Sequence, residues 1–158
     1  MTRTETDSLG DMTLPKDALY GIQSLRAKAN FPLDCPRVNM GLIYAIVKVK
    51  KAAALTRQKL EENGAHLYEA IASACDQVLA GQANDMFIVP ALQGGAGTST
   101  NMNVNEVLAN LALLQLGYEP GRYDIVHPLD HVNRGQSTND VYPTALRIAS
   151  IELLRGLS

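Results

Sequence analysis

Three short stretches carry residue types and spacings that could do chemistry. Gly94-Gly95-Ala96-Gly97-Thr98-Ser99-Thr100-Asn101 is a glycine-rich run ahead of an apolar, helix-like segment. Such a run lets backbone N–H groups approach an anion closely, and a helix N-terminus favours negative charge. Two nucleotide-binding patterns fail: no Gly-Lys-Ser/Thr is present, and Gly95-Ala96-Gly97 lacks the third glycine, with Pro90 interrupting the run before it. The alternative reading is a tight turn that packs a helix. Ser137-Thr138-Asn139 sets short polar side chains at a second helix start. They can donate to a carboxylate, or simply cap the helix. His127-Pro128-Leu129-Asp130-His131 has His-x3-His spacing with an acid between. On a helix that would resemble two metal ligands, but Pro128 and the nearby glycines argue against a helix, and no third ligand is evident. No metal site is expected, and His127 and His131 are read as structural or as part of an anion site.

The remaining candidates have simpler readings. Lys48, Lys50 and Lys51 are taken as the solvated face of a helix, and Cys35 and Cys75 as buried small apolar residues. The cysteines form no CxxC pattern, which disfavours a disulfide scaffold and a thiolate metal site and points to a reducing cytoplasm.

Composition narrows the function classes. In 158 residues, 46% are hydrophobic and 19% charged, which is globular rather than disordered. The net charge of −2 removes the usual electrostatic case for nucleic acid. No apolar run approaches the roughly 20 residues of a membrane helix. The polar, acidic start Met1 to Asp7 is unlike a secretory signal. With no Trp, two Phe and many small aliphatic residues, the chain suits closely packed helices.

The elements that must position the motifs follow from periodicity and breakers. Ser8-Leu9-Gly10-Asp11 marks a turn inside a short hairpin over 4–14. A short helix is predicted over 18–29, broken by Pro32 and Pro36. A long helix is predicted from Asn39 to Leu60, with Ile43, Ile46, Val47, Lys50, Ala54 and Leu55 at helical spacing and a C-cap-like stop at Gly64. Another covers 66–79, with Leu67, Ile71, Ala74 and Val78 on one face and Gly81 closing it. Residues 87–92 read as extended because Pro90 interrupts them. A helix apolar nearly all round, hence buried, is predicted over 102–116. Residues 118–135 read as irregular. The last helix starts at Ser137, where Asp140 completes a capping-box pattern. Its apolar rows, Tyr142, Leu146, Ala149, Leu153, Leu157 and Val141, Ala145, Ile148, are too wide for a lone surface helix and still run at Ser158.

Taken in order, these segments resemble the signature regions of the aspartase/fumarase superfamily. The resemblance rests on Gly95-Ala-Gly-Thr-Ser-Thr-Asn-Met-Asn-Val-Asn-Glu-Val and His127-Pro-Leu-Asp-His-Val-Asn-Arg-Gly-Gln-Ser-Thr-Asn-Asp. Asp7-Ser8-Leu9-Gly10, Leu19-Tyr-Gly-Ile-Gln-Ser-Leu-Arg-Ala and Asn30-Phe-Pro also look like that family's start. It implies a mainly α fold with a small N-terminal β-hairpin: a lyase N-terminal domain over 1–136 and the start of a central helical bundle over 137–158. The family eliminates ammonia or water from a succinyl compound by anti elimination. A base removes a proton beside a carboxylate, and the aci-carboxylate dianion that forms must be stabilised. Thr98, Ser137 and Thr138 match positions that bind that carboxylate, and Asn139 with Thr98 matches the group facing the leaving amine or hydroxyl. His127 and Asp130 match a secondary carboxylate site, although Leu129 stands where the family often has Asn.

Ser99 and Thr138 look closer to aspartases, which make fumarate and ammonia from L-aspartate, than to fumarases, which usually show Gln and Ser there. The rival readings are a fumarate hydratase and a non-catalytic dicarboxylate-binding or assembly module. No cofactor is implied. The family's partners are a dicarboxylate and the other subunits of a homotetramer. Its Gly-Ser-Ser base loop and Lys-x-Asn-Pro pattern have no counterpart in these residues, so the isolated chain is expected to be inactive.

Overall fold

The computed structural model describes residues 1–157, with the backbone alone at position 62. Strands β1 (Thr2–Asp7) and β2 (Gly10–Pro15) pair antiparallel with Asp7 opposite Gly10. Asp7 Oδ1 accepts from Leu9 N–H at 2.8 Å to close the turn. The hairpin was legible because Gly10 takes a positive φ of 106°, where only glycine is comfortable.

Helix α1 (Ile22–Asn30) starts four residues later than its sequence pattern suggests. Gly21 is extended, and its N–H goes to buried Glu106 instead of entering a helical turn. Helix α2 (Met40–Leu60) is capped by Asn39, whose side chain accepts from Gly41 N–H at 2.8 Å. Helix α3 (Ala65–Leu79) follows one tight turn and lies along α2. Residues 87–90 are buried and extended, held by Ala91 N–H to the Pro36 carbonyl and Ile88 N–H to Asn103 Oδ1.

Helix α4 (Thr98–Gln115) runs through the centre, buried from Thr100 to Leu113. It begins four residues before the predicted start, because left-handed Gly97 accepts Asn101 N–H and turns Thr98–Asn101 into its first turn. Helix α5 (Thr138–Arg155) packs on α2 through Val141, Ala145 and Ala149. It stops at Arg155, capped by the Gly156 N–H, and does not run on as expected; Ser158 lies outside the described residues.

Two further expectations are corrected. Pro128–Val132 is not irregular but a single π-helical turn, with Pro128 in its first position where no N–H is needed. Lys50 does not belong to a solvated face: it is fully buried, whereas Lys48 and Lys51 are part-exposed and pair with Glu152 and Asp76. Cys75 is buried as expected, while Cys35 is only half-buried.

Candidate active site at the starts of two helices

Helices α4 and α5 begin side by side. A Cβ added to Gly97 would run into the Tyr142 ring, so the glycine loop and the first turns of α5 are in direct contact. Gly97 is required twice, by its φ of 87° and by this close approach. An open cleft of about 360 Å³ lies where they meet, lined by Gly95, Ala96, Gly97, Asn139, Tyr142 and Leu146. Both helix N-termini turn their partial positive charge toward this region.

The glycine run is thus both a tight packing turn and one wall of the cleft. Thr98 opens α4 next to it, exposed; Ser137 and Asn139 are exposed, and Thr138 is half-buried. Ser137 is the N-cap of α5, its hydroxyl oxygen accepting from Asn139 N–H at 3.2 Å. Its own hydroxyl proton has no acceptor among the described residues. Among the described residues no protein partner takes the Thr98 hydroxyl or the Asn139 side-chain amide. These donors together can hold a carboxylate and stabilise charge developing on it.

His127 and Asp130 sit elsewhere, on the π turn, 3.3 Å apart. His127 Nδ1 accepts from the N–H groups of Leu129 and Asp130, and His131 Nδ1 accepts from His127 N–H at 2.8 Å. Both rings therefore serve as caps of the turn. Burial, followed by the neighbouring His127, pulls the His131 imidazole below its ordinary value. Among the described residues no group of His, Cys, Asp and Glu is placed to hold a metal ion, and no helix is long and apolar enough to cross a membrane.

Between the first turns of α4 and α5 lies a polar cluster absent from the sequence reading. Lys50 Nζ donates to Asn133 Oδ1 at 2.6 Å. Asn101 Nδ2 donates to the same oxygen and to Thr138 Oγ1, each at 3.1 Å. Asn133 Nδ2 donates to the Gln136 carbonyl at 3.0 Å. Burial lowers Lys50 to about 7, with Cys75 on α3 opposing the shift. A signal was available: Lys50 falls on the buried stripe of Ile43, Ile46, Val47 and Ala54, where a lysine needs a partner.

Comparison with known proteins identifies the relatives of the chain. The family described as "Lyase" matches residues 10–157. The aspartate ammonia-lyase of Corynebacterium glutamicum is 50% identical over 149 residues, covering 92% of the chain and 28% of the relative. That of a Bacillus species is 48% identical, over 98% of the chain and 33% of the relative. The class II fumarate hydratase of Halobacterium salinarum is also 48% identical, over 96% and 32%. Among solved structures, a fumarate lyase:delta crystallin from Brucella melitensis superposes with a TM-score of 0.90 at 52% identity, covering 94% of the chain and 35% of its own. The chain spans about a third of the length of the curated relatives it matches. In sequence, in fold and in the family match across nearly its whole length, the chain belongs to the lyase family of aspartases and fumarases.

Proposed function

We propose that these residues form the carboxylate-binding part of an aspartate ammonia-lyase, which converts L-aspartate to fumarate and ammonia. The observation that carries it is the meeting of two helix N-termini beside a cleft lined by Gly97 and Asn139, with Thr98 and Ser137 exposed next to those residues in the chain. Thr98, Ser137 and Thr138 hold the carboxylate on which negative charge builds once the adjacent C–H proton leaves. Asn139, with Thr98, faces the departing amine. The base that takes the proton comes from outside residues 1–158. His127 and Asp130 form a secondary carboxylate site. No cofactor takes part, and the compartment is the cytoplasm.

Residues 1–136 are the N-terminal domain in this reading, and 137–158 begin the central helical bundle of a homotetramer. The apolar face of α5, with Leu146, Leu153 and Leu154 at least half exposed, is covered there by other helices. Purified residues 1–158 make no fumarate from aspartate, whereas the full-length protein does, as followed by fumarate absorbance. Fumarate from the isolated residues would overturn the division of labour.

A second reading, fumarate hydratase, is favoured by the equal 48% identity of the Halobacterium salinarum relative. Ser99 and Thr138 favour the aspartase. Comparing aspartate with malate on the full-length protein decides between them. Were neither turned over, titration with succinate would separate a dicarboxylate-binding module from a purely structural one.

A further inference from the structure

The polar cluster between the first turns of α4 and α5 has a direction. A protonated lysine only donates, so Lys50 forces Asn133 to present its carbonyl oxygen, and the Gln136 carbonyl agrees by taking the Asn133 N–H. With that oxygen facing it, Asn101 must turn its amide nitrogen inward. The same nitrogen then donates to Thr138 Oγ1. Thr138 is therefore an acceptor on its buried side, and its hydroxyl proton is left for its solvent-facing side, next to Asn139 of the cleft. Reversing the Asn101 amide would set two carbonyl oxygens against each other and draw the Thr138 proton inward.

We propose that Lys50 is a positioning residue for the dicarboxylate site: through Asn133 and Asn101 it sets the polarity that makes the Thr138 hydroxyl a donor to bound carboxylate. The inference rests on the carboxylate role given to Thr138 under the proposed function. The inner half of the cluster is buried, whereas Asn133 and Thr138 are half-buried. Lys50, Asn101 and the Thr100 hydroxyl are closed off from solvent, and Asn101 Oδ1 and Thr100 Oγ1 have no protein partner.

The test uses succinate as probe on the full-length protein below pH 7, where Lys50 carries its proton. Lys50→Met and Thr138→Val should each weaken succinate binding about tenfold, the scale of one hydrogen bond to a charged group. The double variant should be no weaker than either single one, because both remove the same donor. Effects that multiply, or a Lys50→Met protein that binds succinate like the parent, overturn the inference. An unsubstituted protein that binds no succinate overturns the carboxylate reading beneath it as well, so the two failures differ. If Lys50→Met does not fold, neutron diffraction of the unsubstituted, deuterated protein decides. A Thr138 hydroxyl deuteron directed away from Asn101 supports the inference, and one directed at Asn101 ends it.

Discussion

Helix α4 carries two buried polar clusters, and they are built to different standards. Near its middle, Glu106 is enclosed by donors. It accepts from the backbone N–H groups of Gly21, Gln23 and Ser24, and from the Ser24 hydroxyl. Burial pushes its carboxyl above the usual range, while those hydrogen bonds pull it back. The carboxylate sits at the N-terminus of α1 and takes the place of a cap, so this cluster joins α1 to the core. At the start of α4, Lys50, Asn101 and Thr138 are linked through Asn133, Asn101 Oδ1 has no partner among the described residues, and Thr138 adjoins Asn139 of the open cleft. Full satisfaction marks the part that holds the fold together. The exposed donors of Thr98, Ser137 and Asn139 beside the other cluster mark the part that a ligand can reach.

The sharpest way to break this comparison is at Glu106. Glu106→Ala leaves two buried N–H groups and one part-buried one without their acceptor and should cost about 3–5 kcal/mol in urea unfolding. A loss below about 1 kcal/mol would remove the structural reading of that end. Gly97→Ala comes next. It places a Cβ at positive φ and against Tyr142, and should cost about 1–3 kcal/mol while displacing α5 from the cleft. Succinate binding that survives this change would separate the cleft from the carboxylate site.

Lys50→Met should change stability by less than about 1.5 kcal/mol at pH 7, because the substitution keeps the volume and removes a charge that burial already disfavours. Its clearer signature is pH dependence. Folded Lys50 titrates near 7 against an ordinary 10.5, so from pH 7 upward the unfolded chain holds the extra proton and stability rises with pH. Cys75, the titratable group facing it, is pushed up from 9.0 to about 12, so above pH 9 the folded state holds the extra proton and this gain is offset. Between pH 7 and 9 the slope should approach about 1.4 kcal/mol per pH unit and vanish in Lys50→Met. An unchanged slope would mean that Lys50 is not the group responsible. The smallest stability effect lies on α5. Leu146→Glu with Leu153→Glu should shift unfolding by about 0.5 kcal/mol or less yet abolish self-association of residues 1–158, as read by light scattering. Aggregation that persists would place its cause elsewhere.

Much of the fold was legible in local pattern. The hairpin, α2, α3 and the buried character of α4 follow from spacing that repeats within each segment, with Gly10, Asn39 and Gly64 as punctuation. The boundaries of α1 and α4 were not, because distant partners decide them. Gly21 N–H is claimed by Glu106, and Gly97 is held against Tyr142. The turn at Pro128–Val132 escaped because proline and glycine signal a break but not which turn follows.

The sequence by itself determined which segments are helical, which donors lie at helix starts, and which family the motifs resemble, since all of these are written in residues close along the chain. Only tertiary structure decided that Gly97 and Asn139 line one cleft, and that Lys50, 83 residues from Asn133 in the chain, lies buried against that asparagine. A lysine's stem and charge suit a solvated face as well as a buried contact, and only the packed partner distinguishes them.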